Sequence, residues 1–95
     1  MAINGTSIES LQLGYTSGSP TTLNFKTGTV SSPIIRLIIS TDADVYINFD
    51  ADADDTNFVL TPGCGQISID NIAFTKFSAQ GVNGGGTIYL LALRS

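Results

Sequence analysis

Apolar residues along this chain recur at every second position or in short β-branched runs, and Gly, Pro, Asn or Asp bounds each run. That alternation is the mark of strands whose successive side chains point to opposite faces. It predicts strands over residues 7–13, 21–26, 34–40, 43–49, 57–60, 66–70, 73–79 and 86–93. No apolar set repeats at helical spacing for three turns. Eight short strands with a turn signal every eight to twelve residues predict an all-β fold, a single antiparallel β-sandwich of jelly-roll-like character.

The turns between the runs have their own chemistry. "SGSP" and "SSP" interrupt pairing because proline lacks a donor, "TPGCG" offers Pro then Gly for a reversal, and "VNGGG" supplies residues that accept positive φ. Residues 14–33 are the loosest stretch, expected as an extended arm or an edge strand. The expected organisation is one domain overall: 1–33 as N-terminal arm and first strands, 34–95 as the sandwich body.

The two faces of each strand differ in what they ask for. Val45, Ile47 and Phe49 share one face, Tyr46 and Asn48 the other, which reads as core against solvent. Residues 34–39 are apolar on both faces: Ile35, Leu37 and Ile39 are expected in the core, with Ile34 and Ile38 outside beside Arg36. The last strand repeats this, with Ile88, Leu90 and Ala92 opposed to Tyr89, Leu91 and Leu93. Such strands are either covered by a second layer, here the 14–33 arm, or present apolar area to another chain.

Composition sharpens this second option. Hydrophobic residues make up 42% of the 95, charged residues only 13%, so Ser, Thr and Asn must wet the surface unless neighbouring subunits cover it. A net charge of −4, with Lys26, Arg36, Lys76 and Arg94 scattered, argues against nucleic acid and anionic membrane as partners. The longest apolar stretch, "IIRLII", is too short to span a bilayer. No export signal is visible in "MAINGTSIES", so synthesis is expected in the cytoplasm, where the sequon at Asn4 has no meaning.

Candidate chemistry is sparse. Six of the eight acids fall within residues 42–55, "DADVYINFDADADD". Asp50, Asp52 and Asp54 occupy positions one, three and five of a calcium loop of the EF-hand kind, but Asp55 stands where glycine is needed and Thr61 where a bidentate Glu is needed. A solvated acidic turn that discourages edge pairing is the preferred reading. Without histidine there is no Ser-His-Asp or Cys-His arrangement, and the lone Cys64 reads as a turn residue. "GVNGGGT" lacks the Lys of a phosphate loop and leads into a strand. The chain is therefore expected not to be an enzyme, with no catalytic, cofactor-binding or metal-ligating residue and no cofactor.

From residue 34 onward, "IIRLIISTDADVYINFDADADDTNFVLTPG", "QISIDNIAFTKFSAQ" and "GGGTIYLLAL" follow one another in an order that resembles small virion accessory proteins of tailed bacteriophages, the capsid decoration or cement proteins. The likeness spans about two thirds of the chain. It implies a β-sandwich that stabilises a phage head by binding between major capsid protein subunits, commonly as a homotrimer, and hence a place in the virion. The same resemblance admits a tail, baseplate or fibre component acting as an adaptor or as a receptor- or glycan-binding module.

Overall fold

The computed structural model describes residues 7–24, 34–72 and 74–94, the side chains of Ser7, Ile34 and Arg94 excepted. Its strands are β1 (Ser7–Tyr15), β2 (Thr21–Asn24), β3 (Ile34–Thr41), β4 (Val45–Phe49), β5 (Phe58–Leu60), β6 (Ile67–Ile72), β7 (Lys76–Gly81) and β8 (Gly86–Arg94). A single 3-10 turn, Pro62–Cys64, is the helical element among the described residues. Each predicted strand has its counterpart. Residues 25 and 26 of the second prediction and Ala73 of the seventh lie outside the described residues, as do the sequon at Asn4 and the 25–33 part of the loose segment.

Two four-stranded sheets form, in the orders β1-β8-β3-β6 and β2-β7-β4-β5. All named pairs are antiparallel. The logic is a folded ribbon: β4 pairs β5, β3 pairs β6, β2 pairs β7 and β1 pairs β8, as if the chain doubled back at the β4–β5 loop. Rolling that ribbon adds β3·β8 and β4·β7, which close each sheet. This is the jelly-roll sandwich.

The alternation places the core as expected. Leu37, Ile39, Ile88, Leu90 and Ala92 of the first sheet meet Val45, Ile47, Leu60, Phe77 and Ala79 of the second, all buried. Phe49 packs edge-on against Phe74 and Phe77, with ring centroids 4.8 and 5.3 Å away, the geometry that the ring quadrupole favours.

Three departures have local causes. Ile35, expected in the core with Leu37, is 40% exposed. Between Ile34 and Arg36 the register against β8 slips by one residue, and this bulge takes Ile35 out of the alternation. The seventh strand begins at Lys76 rather than 73, because β6 runs on to Ile72 and Phe74 turns into the core. Tyr15, beyond the predicted end of the first strand, continues β1 and is buried.

Glycine is required where the ends of the sandwich are tight. A Cβ on Gly81 would stand 1.8 Å from the carbonyl oxygen of Gly84, and one on Gly86 would stand 2.4 Å from the Tyr15 hydroxyl.

Candidate interaction face

The acidic stretch resolves into turn chemistry. Asp50 follows β4 with φ +59, a left-handed conformation that Asp tolerates better than most residues. Its Oδ1 accepts from the Thr75 and Lys76 amides at 2.8 and 3.0 Å and from the Thr75 hydroxyl at 3.1 Å. Those backbone donors, Thr75 first, hold its carboxyl below the ordinary aspartate value. Asp42 Oδ1 accepts from the Thr87 amide at 2.8 Å. Asp54 accepts from the Thr56 hydroxyl and, at 2.9 Å, from the Thr56 amide, which lowers its pKa as well.

Asp50, Asp52 and Asp54 therefore do not converge as ligands, and no group of three potential metal-binding side chains gathers among the described residues. Between them Ala53 is buried, its amide donating to Ser78 Oγ at 2.9 Å. Ser78 belongs to the outward-facing set of β7, yet it is 1% exposed. The acidic loop thus folds back over the outer face of the second sheet. Cys64 is exposed, with its Sγ 3.3 Å from Thr61 Oγ1; that contact, and then the Thr61 backbone, lowers the thiol pKa.

The outer face of the first sheet differs. Its strand register lays side chains out in three rows. Ile8, Leu93, Arg36 and Asp70 form the first; Ser10, Leu91, Ile38 and Ser68 the second. Gln12, Tyr89 and Ser40 continue into the third, and Gln66 lies beside them in a shallow hollow of about 270 Å³ shared with Ile38 and Leu91. Ile8 is 65% and Tyr89 45% exposed, while Ile38, Leu91 and Leu93 are half-buried.

The result is an oblique apolar band inside a polar rim. Arg36 Nε meets Asp70 Oδ1 at 3.0 Å on one border. Both side chains are more than half exposed, so the pair contributes at most about 1 kcal/mol to folding and marks the edge of the band. Four strands about 4.8 Å apart and three rows about 7 Å apart give the whole face, polar rim included, an area on the order of 400 Å², of which the apolar band is less than half. The described part of the 14–33 segment does not cover it: β2 pairs with β7 in the other sheet, and Ser17 bridges to Gly81.

No family model matches this chain, and no curated protein matches it significantly. Among solved structures, a subunit of the disulfide-linked pili that form Bacillus endospore appendages matches over 95% of this chain and 87% of its own, with 14% sequence identity and a TM-score of 0.49. A likeness at that level carries no argument about function.

Sequence reasoning had marked Tyr89, Leu91, Leu93, Ile38 and Arg36 as outward, and the structure brings them onto one surface. It had not marked Ile8, which joins them only because β1 pairs beside β8.

Proposed function

We propose that this chain is a structural building block that works through its flat apolar face, against copies of itself and a larger shell, without a reaction of its own. The single observation behind this is the band of Ile8, Ile38, Tyr89, Leu91 and Leu93 on the outer face of the β1-β8-β3-β6 sheet. An apolar centre with a polar rim is the anatomy of a protein interface.

The finer reading is a bacteriophage virion protein that decorates the capsid, a homo-oligomer, expected as a trimer, seated between subunits of the major capsid protein. It rests on the sequence resemblance over residues 34–95 together with that face. A stable interface needs roughly 800 Å² from each partner, about twice what the whole face provides. Surface beyond that face supplies the remainder, and repetition around a threefold axis adds effective concentration.

Imaging of purified particles with and without this protein tests the proposal. Density on the head lattice that disappears with the protein, and heads that rupture more readily without it, are the expected results. Density confined to the tail tip, with heads equally robust in its absence, replaces the decoration reading with that of an adaptor or receptor-binding module.

A further inference from the structure

The loop 82–85 carries the chain from β7 in the second sheet to β8 in the first, and it places Asn83 directly before Gly84. In such a pair the glycine nitrogen can attack the asparagine side-chain carbonyl, because glycine has no Cβ to hinder the approach and reaches the required backbone angles freely. That chemistry asks for an asparagine side chain that is unbound and wetted, a following amide not engaged in a hydrogen bond, and room to turn.

Loop 82–85 meets all three conditions. Asn83 is exposed, and neither its side chain nor the Gly84 amide has a hydrogen-bond partner among the described residues. Nothing lies within 4 Å of where a Cβ on Gly84 would stand. The two residues line an open hollow of about 220 Å³ with Ala43, Asp44 and Gly85, so water reaches them. The other asparagines among the described residues differ. Asn24, Asn48 and Asn57 precede Phe and Asn71 precedes Ile, and the side chains of Asn48 and Asn57 are bonded to the 52–54 loop.

We propose that Asn83 is a site of spontaneous modification, losing its side-chain amide by cyclising onto Gly84. The Gly84 nitrogen gives up its proton and bonds to Asn83 Cγ; the bond from Cγ to Nδ2 breaks, and ammonia leaves with that proton, closing a succinimide. Water then opens the ring at either carbonyl. One opening leaves aspartate, the other isoaspartate, whose main chain is longer by one carbon. Both put a new carboxylate on the hollow that Asp44 lines.

The loop has no slack to take up a longer main chain. The Gly81 amide donates to the Thr16 carbonyl at 2.8 Å and the Val82 amide to the Asp44 carbonyl at 3.2 Å. Gly85 lies so close to β1 that a Cβ there would stand 2.9 Å from the Tyr15 carbonyl oxygen. The isoaspartate form therefore loosens this end of the sandwich, whereas aspartate changes only its charge.

The test incubates the whole protein in warm, mildly alkaline buffer and follows its tryptic peptides by mass spectrometry. Cleavage after Lys76 and Arg94 releases residues 77–94, in which Asn83 is the only asparagine. This peptide should convert ahead of the 37–76 peptide, which carries Asn48, Asn57 and Asn71, and should give separable aspartate and isoaspartate products. The native chain should convert at a rate close to that of the urea-unfolded chain. Gly84→Ala, for which the fold has room, should melt like the wild type and convert severalfold more slowly. Aged protein rich in isoaspartate should melt below Asn83→Asp, which carries the charge alone. A native Asn83 that keeps its amide while the unfolded chain loses it, or a Gly84→Ala protein that converts as fast as the wild type, would overturn the proposal. Aged protein that melts with Asn83→Asp would overturn the loosening.

Discussion

The hydroxyl oxygens of Tyr15 and Thr41 lie 2.9 Å apart inside the end of the sandwich where β1 and β3 finish, and both are within hydrogen-bond reach of the Ala43 carbonyl, at 2.9 and 2.7 Å. Three oxygens share two protons here, since each hydroxyl carries one. Either hydroxyl can donate to the carbonyl while the other donates to its neighbour, so the buried triangle is satisfied in both arrangements. The Ala43 amide completes it by donating to Thr41 Oγ1 at 3.3 Å, which turns the chain from β3 into β4.

Replacing Tyr15 with Phe removes one oxygen and one proton from that triangle while keeping the ring, which is 3% exposed. Stability in urea should fall by about 1–2 kcal/mol, the usual loss for a buried hydroxyl with partners, with an unchanged denaturant slope. A midpoint equal to that of the wild type would mean that water restores the missing bonds.

Two glycine substitutions should move stability in opposite directions. At Gly81 a methyl group would overlap the Gly84 carbonyl oxygen, and the Gly81 amide is already committed to the Thr16 carbonyl at 2.8 Å. Gly81→Ala should therefore cost about 1–3 kcal/mol or more. At Gly14, in the interior of β1, nothing lies within 4 Å of the added Cβ. Gly14→Ala should be neutral or stabilise by up to about 1 kcal/mol, by reducing the freedom of the unfolded chain. Thermal melts of the two variants check both signs.

Asp50 ties the end of β4 to the start of β7 through an ionised carboxyl, and its pKa lies below the unfolded value. A group of that kind stabilises the fold at pH above its unfolded pKa, and the contribution disappears as pH falls through the folded pKa. Stability should accordingly decline on acidification below the ordinary aspartate range. Asp50→Asn, which keeps the left-handed backbone tolerable, should be less stable at neutral pH and should show a shallower acid limb. Asp54, also lowered, contributes in the same direction. Acid melts of the two proteins that superimpose would remove Asp50 from this role.

Much of the fold was readable in the alternation because each strand buries one face, and that requirement is written at every second residue. The core positions Val45, Ile47, Leu37, Ile39, Ile88 and Leu90 follow from it directly. Ile35 did not, because a one-residue slip in pairing is invisible to a period of two. Nor could Ser78 be recognised as buried: what covers it is Ala53, twenty-five residues away, and the alternation within β7 assigns it to solvent. For the interaction face, the outward apolar residues of β3 and β8 were apparent, but their union with Ile8 depended on sheet order.

On the proposed function, the outer face of the first sheet holds copies of this chain together. Light scattering over a concentration series, for the wild type and for Leu91→Lys, tests it most directly. The lysine would stand at the centre of the band between Ser10 and Ile38. The wild type should form an oligomer, a trimer, and the Leu91→Lys protein should be monomeric with a similar melting temperature. A wild type that stays monomeric at about 100 μM, far above the dissociation constants usual for interfaces of standard size, or a lysine variant that assembles as well as the wild type, would contradict it.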